Sequence, residues 1–268
     1  MQPIAESRLI WLNQKARNKW EGVISHIANV CQDLEFESVV SNQRDCGTIT
    51  ADPAQIFEYQ KKYPHLIFRQ IRKVKKFHGF SHQHQNPGPD DPYYIHYVYS
   101  LSNGNAKEFE NAYNRGDHDF QGLLLGFPEC CRKFFKNIWP KYPDPIYQMG
   151  GLESYEKNKK RTKYLHPLAN PLLRYLNIRT SFHIPCSFDC DKSILKAENK
   201  LELMKPDDQK ILSALLSMPM TWDCYHGIAI IKTPIFWITI GSNMTKEKYI
   251  VEYNGEFIPR EMEPNNAV

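Results

Sequence analysis

Residues 117 to 138 read DHDFQGLLLGFPECCRKFFKNI. Asp117 can supply an N-cap oxygen for a short helix. That helix must stop at Pro128, because the residue before a proline resists helical geometry. Pro128 in turn suits the first position of a second helix, where its missing N–H would have no partner anyway. The stretch is therefore helix, stop, helix, with Cys130 and Cys131 in the first turn of the second. Farther along, HIPCSFDC (183 to 190) has a similar layout. A proline and two cysteines lead into DCDKSILKAENKLELMK, a further helix for which Ser187 or Asp189 is the expected cap.

Outward from these blocks, Leu9, Leu12, Ala16, Trp20, Val23, Ile27, Val30 and Leu34 recur at steps of three and four, which predicts one long amphipathic helix. Asp52-Pro53 opens a short helix ending near Tyr63. HLIFRQIRKVKKF (65 to 77) and YYIHYVYSL (93 to 101) alternate apolar and polar residues and read as strands. A helix follows Ser102-Asn103 to about Arg115, NPLLRYLNI is helical, and another helix spans roughly Asp207 to Leu216. GIAIIK, IFWITI and KYIVEYNG, separated by turn residues, read as a closing antiparallel meander. The fold class is α+β: an N-terminal long helix and strands, central helices carrying the cysteine motifs, and a C-terminal antiparallel meander. One globular domain over 1–268 is expected. The basic stretch YEKNKKRTK (155 to 163) is the place where it would divide into 1–154 and 164–268.

A chain of 268 residues, 41% hydrophobic and 13% aromatic, has enough apolar material for a substantial core. Its formal net charge of +4 is too small to imply a nucleic-acid or membrane partner. MQPIAESRLIWLNQ lacks the features of a secretory signal. HGIAIIKTPIFWITIG is interrupted by Lys232 and Pro234 and is too short to span a bilayer. A cytoplasmic protein with no membrane association is expected. There, clustered cysteines serve metal binding, redox chemistry or nucleophilic attack rather than disulfides, and the odd total of seven agrees. Cys31, on the apolar stripe of the first helix, and Cys46, in loop-like QRDCG, read as small hydrophobic residues.

A thiol in the first turn of a helix faces unpaired N–H groups and the positive end of the helix dipole, which favour the thiolate. Cys130, Cys131, Cys186 and Cys190, with His183 three residues before Cys186, make up a sulfur and nitrogen ligand set for a transition metal, iron or zinc, or for an iron-sulfur cluster. The C-C and C-x3-C spacing departs from paired zinc knuckles. Adjacent residues on a helix diverge by about 100°, which favours an object larger than one ion. A cluster- or metal-dependent enzyme acting on a small molecule is the leading expectation. Metal-free thiol chemistry at Cys130 or Cys131, and a zinc-stapled protein that binds or modifies nucleic acid, are the alternatives. No P-loop, no GxGxxG after a strand and no CxxxCxxC is present, so ATP, NAD and SAM have no support.

DHDFQGLLLGFPECC, NPLLRYLNIRTSFHIPCSFDC and MPMTWDCYHGIAIIKTP resemble three landmarks of a little-characterised prokaryotic family with G-[FY]-P-x-C-C and H-x-P-C-S-F-D-C blocks. The resemblance implies that Cys130, Cys131, His183, Cys186, Cys190 and His226 belong together. It names no substrate.

Other residues capable of chemistry lie elsewhere. In TWDCYHG (221 to 227), His226 is a candidate general acid or base and Asp223 a group to orient its ring. His118 lies between two aspartates whose capping role is sufficient explanation. His78, His82 and His84 flank a turn-rich loop suited to gating rather than tight metal binding. Lys61, Lys62, Arg69, Arg72, Lys73, Lys75 and Lys76 are interleaved with Tyr63 and Phe68, a pattern for RNA or a phosphorylated ligand. The plainer reading of this 61–76 stretch is a solvated edge strand guarded by lysines.

Overall fold

The computed structural model describes residues 8–76, 86–138, 166–225, 228–241 and 249–253. They form an α+β fold with two antiparallel sheets. Strand β1 (Arg8–Trp11) leads into α1 (Gln14–Val40), β2 (Cys46–Ala51), α2 (Pro53–Lys62), β3 (Ile67–Lys75) and β4 (Tyr93–Ser100). Helices α3 (Asn103–Asn114), α4 (His118–Leu124) and α5 (Glu129–Ile138) follow. Two 3-10 turns, Pro167–Ala169 and Leu172–Leu176, precede α6 (Asp191–Leu201) and α7 (Pro206–Leu216). Strands β5 (Met220–Tyr225), β6 (Ile228–Lys232), β7 (Phe236–Gly241) and β8 (Tyr249–Tyr253) complete the described chain. One sheet runs β1-β7-β6-β5-β8, the other β2-β4-β3.

Three features depart from the sequence reading. The long helix does not reach back to Leu9, because Arg8–Trp11 pairs antiparallel with β7. Over Leu9–Trp11 burial alternates: Leu9 and Trp11 pack on the core while Ile10 faces outward. The helix begins only after Asn13, whose side chain accepts from the Ala16 N–H at 2.8 Å. Cys46 is not in a loop; it opens β2 in register with Ser100 and is fully buried. The closing strands are more than a meander, since β8 returns to pair with β5 and β1 adds to β7.

Helix α1 ties the two sheets together. Its middle turns contribute Ile24, Ile27, Cys31 and Leu34 to a core shared with Leu173, Leu212, Leu215, Ile231 and Phe236. Its last turns contribute Phe36 and Val39 to a second core on the three-stranded sheet. There the Phe36 ring lies 4.5 Å from Tyr99, 4.7 Å from Tyr59 and 4.8 Å from Tyr63, centroid to centroid. Aromatic contacts of this kind add about 0.5–1.5 kcal/mol each beyond their buried area. Among the described residues, no helix is long and apolar enough to cross a membrane.

Candidate metal centre

The turn between α4 and α5 is built as the sequence requires. Gly126 sits at φ +72, its N–H donates to the Leu123 carbonyl, and the Phe127 N–H reaches back to the Gly122 carbonyl, both at 2.8 Å. This is a Schellman stop, which needs a left-handed residue after the helix. Pro128 follows, and its carbonyl accepts the Arg132 N–H at 2.9 Å to start α5. The chain thus reverses within Gly126–Pro128 and delivers Cys130 and Cys131 at a helix N-terminus. On the other side, Cys190 is itself the N-cap of α6, with the Ser193 and Ile194 N–H groups donating to its carbonyl. Neither Ser187 nor Asp189 takes that position.

The two helix starts bring four sulfurs together. Cys130 Sγ is 3.9 Å from Cys131 Sγ and 3.8 Å from Cys190 Sγ. Cys131 and Cys190 are separated by 3.7 Å, and Cys186 and Cys190 by 3.6 Å. All four sulfurs lie within 4.8 Å of one another. A disulfide would need about 2.05 Å. The described cysteines are free. Cys131 and Cys190 are buried, while Cys130 and Cys186 are half-buried.

The 100° divergence of adjacent cysteines does not keep them apart here. Side chains of a helix tilt toward its N-terminus. At the first turn they overhang the helix end, and two neighbours can meet above it although they would part company along the flank. Cys130 and Cys131 therefore reach Cys190 at nearly equal distances.

Without metal, the thiols share protons unevenly. Cys190 is driven far below the ordinary thiol range by hydrogen bonds from the Cys131 and Cys186 thiols, helped by Ser193. Cys131 is driven up, held protonated by Cys186 and Cys190 and further raised by burial. Cys186 gains from its bond with Cys131, but Cys190 and burial outweigh that and push it up to about 12.

His183 stands beside the sulfur group rather than within it. Its Nε2 lies 2.8 Å from Ser193 Oγ, which lies 3.3 Å from Cys131 Sγ. Burial, aided by the charge of Lys200, lowers the His183 pKa to about 3, so the ring is neutral. With Cys131 as thiolate, the Ser193 hydroxyl donates to sulfur and accepts from His183 Nε2–H. Outer partners of this kind fix and polarise a ligand. Ser193 was not singled out from the sequence. Its signal was there: it lies three residues after Cys190, at a position where a side chain turns back over the helix start.

Next to Cys131 opens a cleft of about 190 Å³. His118, Gln121, Arg132 and His183 give it polar edges, and Phe135 and Phe182 give it an apolar wall. Arg132 is fixed by Asp119 at 3.0 Å and by the Phe127 carbonyl at 2.9 Å. His118 thus gains a setting that its neighbouring aspartates did not suggest.

Behind this region is an ion cluster that sequence reasoning also missed. Glu35, 2% exposed, holds Arg44 Nη2 at 2.7 Å and Lys200 Nζ at 2.8 Å. Burial alone would raise the Glu35 pKa, but Arg44, Lys200 and Arg179 bring it down to about 2. Burial lowers Lys200 to about 8, with Glu35 opposing and Arg44 assisting. The residues are far apart in sequence, and each alone reads as surface charge on an amphipathic helix or loop.

The remaining candidates lie elsewhere. Asp223 is on β5, paired with Ile230. His226, like His78, His82, His84 and the 155–163 stretch, lies outside the described residues. On the 61–76 stretch, Lys61, Lys62, Arg69, Lys75 and Lys76 pair with Glu58, Asp33, Glu110, Asp91 and Asp52. Arg72 and Lys73 lie over the rings of Tyr113 and Tyr93. β3 is an edge of its sheet, and pairing of this density leaves little free charge on it.

No family model, no curated protein and no solved structure matches the chain.

Proposed function

We propose that the chain is a metalloprotein whose four cysteines hold a single tetrahedral ion, zinc by fit, and that this centre fixes the walls of a small-molecule site beside it. The observation that carries this is the sulfur spacing. Four thiolates at about 2.3 Å from one ion, at the corners of a tetrahedron, stand about 3.8 Å apart. Four of the six separations here run from 3.6 to 3.9 Å, and all six stay within 4.8 Å. A cluster of several irons places its thiolates on different metal atoms and spreads them farther. The geometry therefore favours one ion over the cluster that the cysteine spacing first suggested.

The electrostatics suit a divalent ion. Four thiolates around it leave two negative charges, and the N-termini of α5 and α6, both at the sulfurs, place positive dipole ends there. Four protein ligands also close the coordination sphere, which is the arrangement of structural rather than catalytic zinc. The ion's part is then to clamp α5 to the segment 183–191 and so set Cys131, His183 and Phe182 around the cleft. Substrate chemistry falls to the residues lining that cleft.

Anaerobic purification followed by elemental analysis tests the reading. About one zinc per chain, colourless protein and no acid-labile sulfide are expected. Iron with sulfide would restore the cluster, iron without sulfide would replace zinc in the same site, and a metal-free, fully folded protein would overturn the centre altogether.

A further inference from the structure

A second cleft, of about 120 Å³, shares Leu125, Phe127, Phe182 and His183 with the one beside Cys131. The four shared residues make the two clefts neighbours across a common wall. The character of the second cleft is different. Arg44, Lys196 and Lys200 line it, with Gln43, Ser181 and Asn199 as neutral polar neighbours and neither Asp nor Glu in its lining. One carboxylate, Glu35, lies behind it and is bonded to both Arg44 and Lys200. Three lining cations face this one carboxylate, and Arg179 adds its charge at Glu35, so positive charge is in excess around a partly buried cleft.

The cations are held in position for a ligand. Lys196 and Lys200 are four apart on α6 and share a face. Lys200 is anchored by Glu35, whereas Lys196 makes no salt bridge among the described residues. Arg44 is oriented by Glu35 and by the Tyr99 hydroxyl at 3.2 Å, and its buried Nε has no hydrogen-bond partner. Gly126 lets the turn close against it, since a Cβ there would come within 2.9 Å of Arg44 Cβ. Buried cations in excess are costly unless an anion joins them. Lysines, as point charges, suit a phosphate.

We propose that this basic cleft takes the phosphate group of a small phosphate monoester whose apolar, ring-sized body lies along Phe182 in the adjoining cleft beside Cys131. A phosphate dianion supplies the negative charge that the cleft lacks, and the apolar wall of Phe127, Phe135, Phe182 and Ile184 gives the body its place. This deepens the small-molecule reading above and names its ligand class.

Calorimetric titration of the metal-loaded protein with phenyl phosphate, inorganic phosphate and benzoate tests it. Phenyl phosphate is expected to bind at least 10-fold more tightly than either of the others, inorganic phosphate lacking the body and benzoate the second charge. Lys196→Gln should weaken phenyl phosphate about 10-fold and reduce the salt dependence of binding. Phe182→Ala should bring phenyl phosphate down to the affinity of inorganic phosphate. Equal binding of all three probes, or a folded Lys196→Gln protein that binds phenyl phosphate like wild type, would overturn the proposal. A measurement on the wild type needs no variant: phenyl phosphate should protect Lys196 from acetylation, and unchanged labelling would count equally against it. Metal content, determined on the same samples, separates this outcome from that of the cysteine centre.

Discussion

Replacing Glu35 by Gln is expected to destabilise the protein by about 3–5 kcal/mol, the range for breaking a buried ion pair from one side. The side chains of Glu35, Arg44 and Lys200 are 2%, 5% and 12% exposed, so solvent can screen little of the change. Gln keeps the shape and one acceptor oxygen, but it leaves the guanidinium and the ammonium without a counter-charge. The carboxylate's own titration gives a consistent figure: a fall from 4.5 to about 2 corresponds to about 3 kcal/mol of preference for the ionised form. At about 2–4 °C per kcal/mol for a chain of this size, the melting temperature should drop by about 6–20 °C. Calorimetry of the metal-loaded protein at pH 7 is the assay. The double variant Glu35→Gln with Lys200→Met should lose less than the two single losses added, because one stranded cation is gone. A single variant melting within 2 °C of wild type, or strict additivity in the double, would refute the charge surplus on which the phosphate proposal also draws.

Cys130→Ser and Cys131→Ser should impair metal retention to similar degrees, since both sulfurs stand close to Cys190; dialysis against a chelator with metal analysis would show it, and full retention in either would remove that residue from the site. Ser193→Ala is expected to lower metal affinity by about 10–100-fold while the protein stays folded, and competition with a chromogenic chelator would measure it. Cys46→Ala should leave metal content unchanged and cost only packing, about 1 kcal/mol or more; loss of metal would contradict its place in the β2 core. The folded-state pKa of Lys200, about 8, is below its ordinary 10.5. Between these values the unfolded chain holds the proton and the folded one does not, so stability from this group rises with pH across that window. Lys200→Met should remove that rise, and denaturant midpoints taken from pH 7.5 to 10.5 would show whether it does.

Local signals carried most of the architecture. Pro128 and Asp117 marked the helix boundaries because their effects act within one turn, and β3 and β4 were visible as alternation over eight or nine residues. β1 and β2 were missed because each is short and acquires its pairing from distant partners, Thr239 to Phe236 for one and Ser100 to Ile95 for the other. β5 lay outside the expected meander for the same reason: its ladder is made by β6 and β8. At the site, residue type and helix position identified the four cysteines as one group. Sequence could not supply the sulfur separations, on which the proposal of one ion rests. Nor could it bring Glu35, Arg44 and Lys200 together, since nothing local distinguishes a buried charge from a solvated one until the fold encloses it.

Helix α6 is capped by Cys190 and carries Lys196 and then, near its other end, Lys200 beside Glu35. Ten residues at 1.5 Å each put about 15 Å along the axis between the backbones of Cys190 and Lys200, on one rigid rod. Under the two proposals above, its N-terminal end is fixed only as firmly as the four sulfurs are, and occupancy of the cysteines and occupancy of the basic cleft would be thermodynamically linked. The linkage is reciprocal: whatever factor the ion adds to the affinity for a phosphate ester, the ester adds to the affinity for the ion. Zinc starvation or thiol oxidation would then reach the ligand site without touching a residue that lines it, and a cell rich in the ester would keep the protein metallated when metal is scarce.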